Sequence, residues 1–344
     1  MSTTKLTRRA VLAAAAVSGA AAARRPAAAE AARMFTVATW GGLYEQILRR
    51  DFIPGFAQRN GVDVRLDLGL GSTQLPKLLA ARGRAPFSVL YLNDDEAILG
   101  AAAGLWAPDQ SAALTNIPHI YDTLRPPALP MYDLVVYELP LVYNPKRMAP
   151  PASWNALWQP GLTVGIPDIS NSYGITFLYI AALLHGGSAD DLGPGFAAIR
   201  RLPRYKIYNG VTQGFAMFQQ GEIDAALYYG HRAYQLQDQG IDVAVAHPAE
   251  GVWGLRAGVQ IPRTAPDLDL ARAWVDMALG VPYQTAYAAE LYSPSNRDVV
   301  LSAAVAKKQV YGEAAVKALR FPPWERLNPL RDTIIDRWNR EIAG

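Results

Sequence analysis

Short apolar runs and runs with a helical repeat follow one another along most of this chain. Residues 34–39, 62–68 and 87–92 read as strands. Between the first two, Leu43, Ile47, Leu48, Phe52 and Phe56 are spaced as one apolar face of a helix over 43–58. A second helix is predicted over 73–82, after a Gly-Leu-Gly-Ser turn in which Ser72 can serve as N-cap. A third opens on Asp94, Asp95 and Glu96. Strands and helices alternating at this spacing predict an α/β layer on a largely parallel sheet, and such sheets bind ligands at the carboxyl ends of their strands. Three segments fall there: 39–42, 69–73 and 93–95.

The pattern changes at the proline-rich segment 125–130, passes through an apolar run over 134–143, and restarts after Asn144-Pro145. A short capped helix at 153–158, a strand at 162–166 and a mostly apolar helix over 173–185 come next. Residues 215–220 read as helical, 224–229 as a buried strand, 231–239 as a helix and 252–261 as extended chain. Helices over 268–279, 283–291 and 327–342 close the sequence, and no repeat of fixed period is evident.

Ahead of the first strand stands a segment of another kind. Thr7-Arg8-Arg9 precedes an alanine-dominated, charge-free run to Ala23, followed by Arg24-Arg25 and the small residues Ala27-Ala28-Ala29. Basic region, apolar region and small-residue cleavage site are the parts of an export leader, and the paired arginines give it the twin-arginine form. The run is too short for a membrane span, which needs about 20 apolar residues. Residues 1–31 are therefore expected to be removed, placing the protein in the periplasm without membrane insertion.

That placement changes the charge argument. The chain carries 33 basic and 30 acidic side chains, but Lys5, Arg8, Arg9, Arg24 and Arg25 belong to the leader. What remains is near neutral, so the basic excess is no footprint for nucleic acid. With 0 cysteines, an exported chain must hold together through its core, and its length suffices for two lobes.

Several segments then occur in a telling order. Thr39-Trp40-Gly41-Gly42-Leu43-Tyr44 is followed by Val142-Tyr143-Asn144-Pro145 and Ser153-Trp154-Asn155-Ala156-Leu157-Trp158. Gly221-Glu222-Ile223-Asp224-Ala225-Ala226, Pro248-Ala249-Glu250-Gly251 and Tyr292-Ser293-Pro294-Ser295-Asn296 complete the series. In this order the chain resembles the extracellular solute-binding proteins of ABC importers, and among them the spermidine/putrescine-binding branch. The resemblance implies a two-lobed periplasmic-binding-protein fold, type II-like, with two crossings between lobes. Lobe one would comprise 34–137 plus 262–344, lobe two 143–258, and the hinge 138–142 and 259–261. It also implies a monomer without cofactor that closes on a solute and delivers it to a membrane permease and its ATPase.

The residues expected to line the cleft follow from strand ends and from the resemblance. Trp40 with Gly41 and Gly42 ends the first strand, and Tyr44 lies one turn on. Ser72 and Thr73 sit at a helix amino terminus, where capping explains them equally well. Asn93 and Asp95 follow the third strand, where acids also simply favour the helix dipole. In lobe two, Ser172 and Tyr173 lie where a helix opens, Tyr228 and Tyr229 end a buried strand, and His231 stands just beyond it. Alternation lets one tyrosine of the pair face the cleft, and the resemblance favours Tyr228. Tyr292 matches a ligand contact of the family, and Arg256 neighbours one.

The departures bear on the solute. Polyamine binders place carboxylates in lobe two, since a buried cation needs paired charge. Here the corresponding stretches read Ser170-Asn171-Ser172-Tyr173 and Leu255-Arg256-Ala257. Asp94 and Asp95 remain available for one amine. The expected solute is a small polar molecule: a carboxylate, an amino-acid-like compound or a monoamine. A ferric-ion carrier is the alternative suggested by the adjacent tyrosines, whose phenolates suit a hard cation. An exported enzyme is a weaker one, because no Gly-x-Ser-x-Gly elbow, His-Glu-x-x-His signature or cysteine nucleophile is present.

Overall fold

The computed structural model describes residues 33–81, 83–125 and 131–344. The expected leader and most of the proline-rich segment lie outside the described residues. Strands β1 (Arg33–Thr39), β2 (Val62–Leu68), β3 (Val89–Asn93) and β4 (Tyr132–Leu139) come first. Then β5 (Leu141–Tyr143), β6 (Val164–Pro167), β7 (Tyr205–Tyr208), β8 (Ala225–Leu227) and β9 (Ala244–Ala246) follow, and β10 (Trp253–Gln260) and β11 (Ser293–Pro294) close the series. They form two sheets, one ordered β11-β4-β10-β3-β1-β2 and the other β7-β6-β8-β5-β9.

Around the first sheet lie α1 (Leu43–Ile47), α2 (Ile53–Asn60), α3 (Gly71–Ala80) and α4 (Asp94–Ala102). Around the second lie α5 (Ser172–Leu184), α6 (Gly193–Arg200), α7 (Val211–Gln219) and α8 (Gly230–Asp238). The chain then adds α9 (Leu268–Leu279), α10 (Val281–Ala289), α11 (Ala303–Ala306), α12 (Glu313–Ala318), α13 (Trp324–Leu327) and α14 (Arg331–Glu341). The α/β, two-lobed architecture expected from the sequence is the one observed.

The expected helix over 43–58 exists as α1, a π-helical turn over Leu48–Phe52, and α2, with Pro54 in the first turn of α2. Proline has no N–H to donate back and its ring crowds the preceding turn, which a widened turn relieves. Most of its apolar face is buried as predicted: Ile47, Leu48, Phe52 and Phe56 are inaccessible, with Phe52 and Phe56 packed on Trp274, while Leu43 is half-buried.

Both sheets are mixed, where a largely parallel sheet was expected. β1 pairs parallel with β3, but β10 runs antiparallel to both β3 and β4. In the second sheet β6 is parallel to β7 and β8, whereas β5 is antiparallel to β8 and β9. The opposed strands include those on which the chain passes between the sheets. The apolar run over 134–143 breaks at Pro140, which cannot donate to a ladder, and β4 and β5 on its two sides join different sheets.

Two expected boundaries are corrected. Lobe two was expected to extend to Gly258, with a hinge at 259–261, but β10 is paired along its length in the first sheet, from Trp253↔Leu139 to Val259↔Tyr132. The return passage therefore precedes Trp253. The segment 262–344 was assigned wholly to lobe one, yet its end reaches the second. Helix α13 packs on α4, while beyond it Arg337 lies 4.3 Å over the Phe196 ring and Tyr205 Oη donates to the Ile342 carbonyl at 2.9 Å.

A main core fills both layers, and a second apolar cluster of Ala38, Leu75, Leu78, Leu90, Leu92 and Trp106 seals α3 and α4 onto the first sheet. Gly100 admits the indole of Trp106, since a Cβ there would stand 2.0 Å from the ring. The indole N–H donates to the Ala97 carbonyl at 2.7 Å.

Candidate functional site

A cavity of about 420 Å³ receives residues from both sheet layers. The first contributes Trp40, Gly41, Tyr44, Leu70, Asn93, Tyr137 and Tyr292; the second contributes Asn171, Tyr173, Asn209, Gly210, Val211, Tyr229, His231 and Arg232. The wall is built where strands end and helices begin. Trp40 follows β1, and Asn93 ends β3 as N-cap of α4. Asn171, Gly210 and Tyr229 are the N-caps of α5, α7 and α8.

Four helices thus direct their amino ends at one space, and no side chain caps α5, α7 or α8. Unpaired backbone N–H groups and the helix dipole make such ends favourable to negative charge. The loop before α5 is held close by Gly174, where a Cβ would stand 2.1 Å from the Asp168 carbonyl oxygen. A side chain there would push Asn171 and Tyr173 out of position.

The charged side chain of the lining is Arg232. Its Nη1 donates to Gln235 Oε1 at 2.8 Å, and its Nε is buried without a hydrogen-bond partner. Beside it His231 is buried, and desolvation, with Arg232 adding repulsion, holds its imidazole well below the ordinary range. At neutral pH it is uncharged. Its ring packs among Tyr292, Tyr137 and Tyr229 at centroid distances of 5.1, 5.4 and 5.5 Å. Trp40 meets Tyr44 edge-on at 4.9 Å. The hydroxyls of Tyr44 and Tyr173, both buried, have no partner at hydrogen-bond geometry.

Of the residues expected at the site, Trp40, Gly41, Tyr44, Asn93, Tyr173, His231 and Tyr292 line the cavity. Seven others do not, and Tyr228 is the clearest correction. It points inward, donating its hydroxyl to the Val211 carbonyl at 2.6 Å and packing on Phe218 and Tyr208, while Tyr229 faces the cavity. Strand β8 already ends at Leu227, so strand alternation no longer governs the pair. Gly42 is the N-cap of α1, with φ of 71°. Ser72 and Thr73 lie inside α3, which starts at Gly71, and Thr73 Oγ1 donates to the Leu70 carbonyl.

Asp95 and Ser172 are occupied with each other: Ser172 Oγ donates to Asp95 Oδ1 at 2.7 Å. Arg256 is turned into the protein, 3.3 Å from Asp94 Oδ2 and 4.0 Å from Asp133 Oδ2, over the Phe321 ring. It therefore does not line the cavity, and Asp94 and Asp95 are not available there for an amine. Missed by the sequence reading were Leu70, Tyr137, Asn171, Asn209, Gly210, Val211, Tyr229 and Arg232. Helix-start signals at Asn171 and Gly210 could have found part of this set; nothing local marks Tyr137, which projects from the middle of β4.

The tyrosine pair is poorly arranged for a ferric ion. The rings of Tyr228 and Tyr229 lie 87° apart, the Tyr228 hydroxyl is committed to Val211, and burial pushes both phenols up, away from the phenolate that iron requires. Among the described residues no group of three or more His, Cys, Asp or Glu side chains could hold a metal ion.

A fold of two sheet layers with a wall-to-wall cavity between them defines a solute-binding protein. This chain belongs to the family of bacterial extracellular solute-binding proteins, whose model matches residues 53–311. It is similar to a solved ABC transporter structure from Clostridium perfringens ATCC 13124, at 25% identity and TM-score 0.77, covering 90% of this chain and 99% of that one. It is also similar in fold to the Atu4243-GABA receptor, at 16% identity and TM-score 0.75, with 89% and 97% covered. A Listeria monocytogenes structure ascribed to spermidine/putrescine ABC transport gives 15% identity and TM-score 0.72, with 90% and 99% covered. A search of curated proteins found no match. The protein is the substrate-binding component of an ABC transporter, and no helix among the described residues is long and apolar enough to cross a membrane.

Proposed function

We propose that this protein captures a small organic anion, a carboxylate or an amino-acid-like compound, and delivers it to an inner-membrane permease and its ATPase. The observation that carries this reading is the cavity's charge: Arg232 and the uncapped amino ends of α5, α7 and α8 face it, and no carboxylate among the described residues lines it. A diamine or monoamine would have to shed its water against an electropositive wall with no anion to pair with, which is costly. A carboxylate would find a guanidinium fork and free N–H groups, while the aromatic rings from both layers enclose the rest of the molecule.

In this reading the lobes close around the solute, and each contributes part of the site, so ligand stabilises the closed form by bridging them. The twin-arginine leader over 1–31 would deliver the protein to the periplasm as a folded monomer. A thermal-shift series tests the solute class, using 4-aminobutyrate, other amino acids, short mono- and dicarboxylates, putrescine, spermidine and ferric citrate. A solute at 100 times its Kd adds about 2.7 kcal/mol of stability. We expect shifts among the carboxylates and none with the polyamines. A shift with putrescine or spermidine alone, or with iron alone, refutes the assignment.

A further inference from the structure

Asp95 and Ser172 do not touch the cavity, yet they join the two layers immediately behind its wall. We propose that the two form a latch that favours closure of the lobes before any solute arrives. Asp95 belongs to α4, on the first sheet, and Ser172 is the first residue of α5, on the second. The two residues are 1% and 5% exposed, and their side chains meet at 2.7 Å.

The latch has its own support. The second oxygen of Asp95 pairs with Arg331, and its backbone carbonyl accepts from Asn328 Nδ2 at 2.8 Å. The carboxylate is thus charge-paired by the C-terminal segment whether or not Ser172 is present, so opening the lobes does not leave a bare buried charge. What opening removes is one hydrogen bond to a charged acceptor, which is stronger than a neutral one.

Position makes this bond report on the site. Asn93, two residues before Asp95, and Asn171 and Tyr173, on either side of Ser172, all line the cavity. The movement that brings these side chains around a solute is the movement that forms the bond. Asp95 and Ser172 act as positioning residues: they contribute to closure without contacting solute. A protein whose closed state is already populated loses less affinity to the rarity of its competent form.

The inference rests on the two-lobed closing motion read above and not on the solute class, so its test contains no solute. The chain has 0 cysteines, so Asp63→Cys and Gln220→Cys, at exposed positions in the two layers, allow spin labels to be placed alone. Distances measured by pulsed electron resonance on the solute-free protein then give the populations of closed and open forms. Ser172→Ala should lower the closed-to-open ratio about tenfold or more, as loss of a hydrogen bond to a charged group predicts. Ser172→Thr, which keeps the hydroxyl, should restore it, and the thermal midpoint should stay near that of the parent. Identical distance distributions for the parent and Ser172→Ala overturn the proposal, as does a Ser172→Thr variant that behaves like Ser172→Ala. Overturning it would leave the anion assignment standing, because that is decided by the solute series.

Discussion

Replacing Arg232 by Gln probes the solute assignment most directly. The guanidinium sits at the amino end of α8, holds Gln235 Oε1 at 2.8 Å, and keeps a buried Nε with no partner. None of the ion pairs found among the described residues involves it, so the fold should lose no more than about one ordinary hydrogen bond, ~1 kcal/mol. The cost to a bound anion is larger. A hydrogen bond between charged groups contributes about 1.5–3 kcal/mol, and more where the pair is dry. At 1.4 kcal/mol per tenfold, Kd for the carboxylate solute should rise roughly 10- to 150-fold. Arg232→Lys keeps the charge and loses the planar fork, so it should fall between the two. Titration calorimetry with the carboxylate giving the largest thermal shift measures all three proteins, and unfolding curves check that the variants remain folded. Unchanged affinity in a folded Arg232→Gln protein would refute the argument that this guanidinium anchors the solute.

Three further substitutions separate site from scaffold and test a buried carboxyl. Tyr228→Phe removes the hydroxyl held by the Val211 carbonyl and should cost about 1 kcal/mol of stability with little change in affinity. Tyr229→Ala should instead weaken solute binding, and titrations showing the reverse pattern would exchange the roles of the two rings. Glu96 is pushed up to about 8 from 4.5 by burial, with the charge of Asp95 adding to it. The folded protein therefore holds that proton more tightly than the unfolded chain. Stability from this group is fully present below about pH 4.5 and declines, by at most about 1.4 kcal/mol per pH unit, until pH passes about 8. Glu96→Gln cannot ionise, so its stability relative to the parent should improve steadily across that window. Urea unfolding at pH 5, 7 and 9 tests this, and parallel profiles for the two proteins would contradict it.

Much of the scaffold could be read locally. The spacing of Leu48, Phe52 and Phe56 defines a buried helix face without knowledge of its partner, because a 3.6-residue repeat has one side wherever it packs. The break at Pro140 was passed over, the run 134–143 being read as one, although proline cannot donate to a ladder in any context. Strand ends gave Trp40 and Asn93 as cavity residues, since in an α/β layer the carboxyl ends of strands open onto the ligand, while Tyr292 came from the family resemblance.

What the sequence determined by itself was thus much of the succession of elements, without α6, β7 and β9, together with the faces its predicted helices bury and several of the loops that line the cavity. Tertiary structure alone decided how charges and rings were allotted among those loops. Arg256 looked like a cleft residue until the fold set it between Asp94 and Asp133, at positions 162 and 123 residues away in sequence. Asp95 looked like an amine ligand until Ser172 and Arg331 claimed it. Tyr229 replaced Tyr228 because the strand stops at Leu227 and the chain turns before alternation can place either ring. Pairing a buried charge is a long-range requirement, satisfied by whichever opposite group the fold brings near. No local pattern encodes that choice, and here it leaves Arg232 as a cationic side chain lining the cavity.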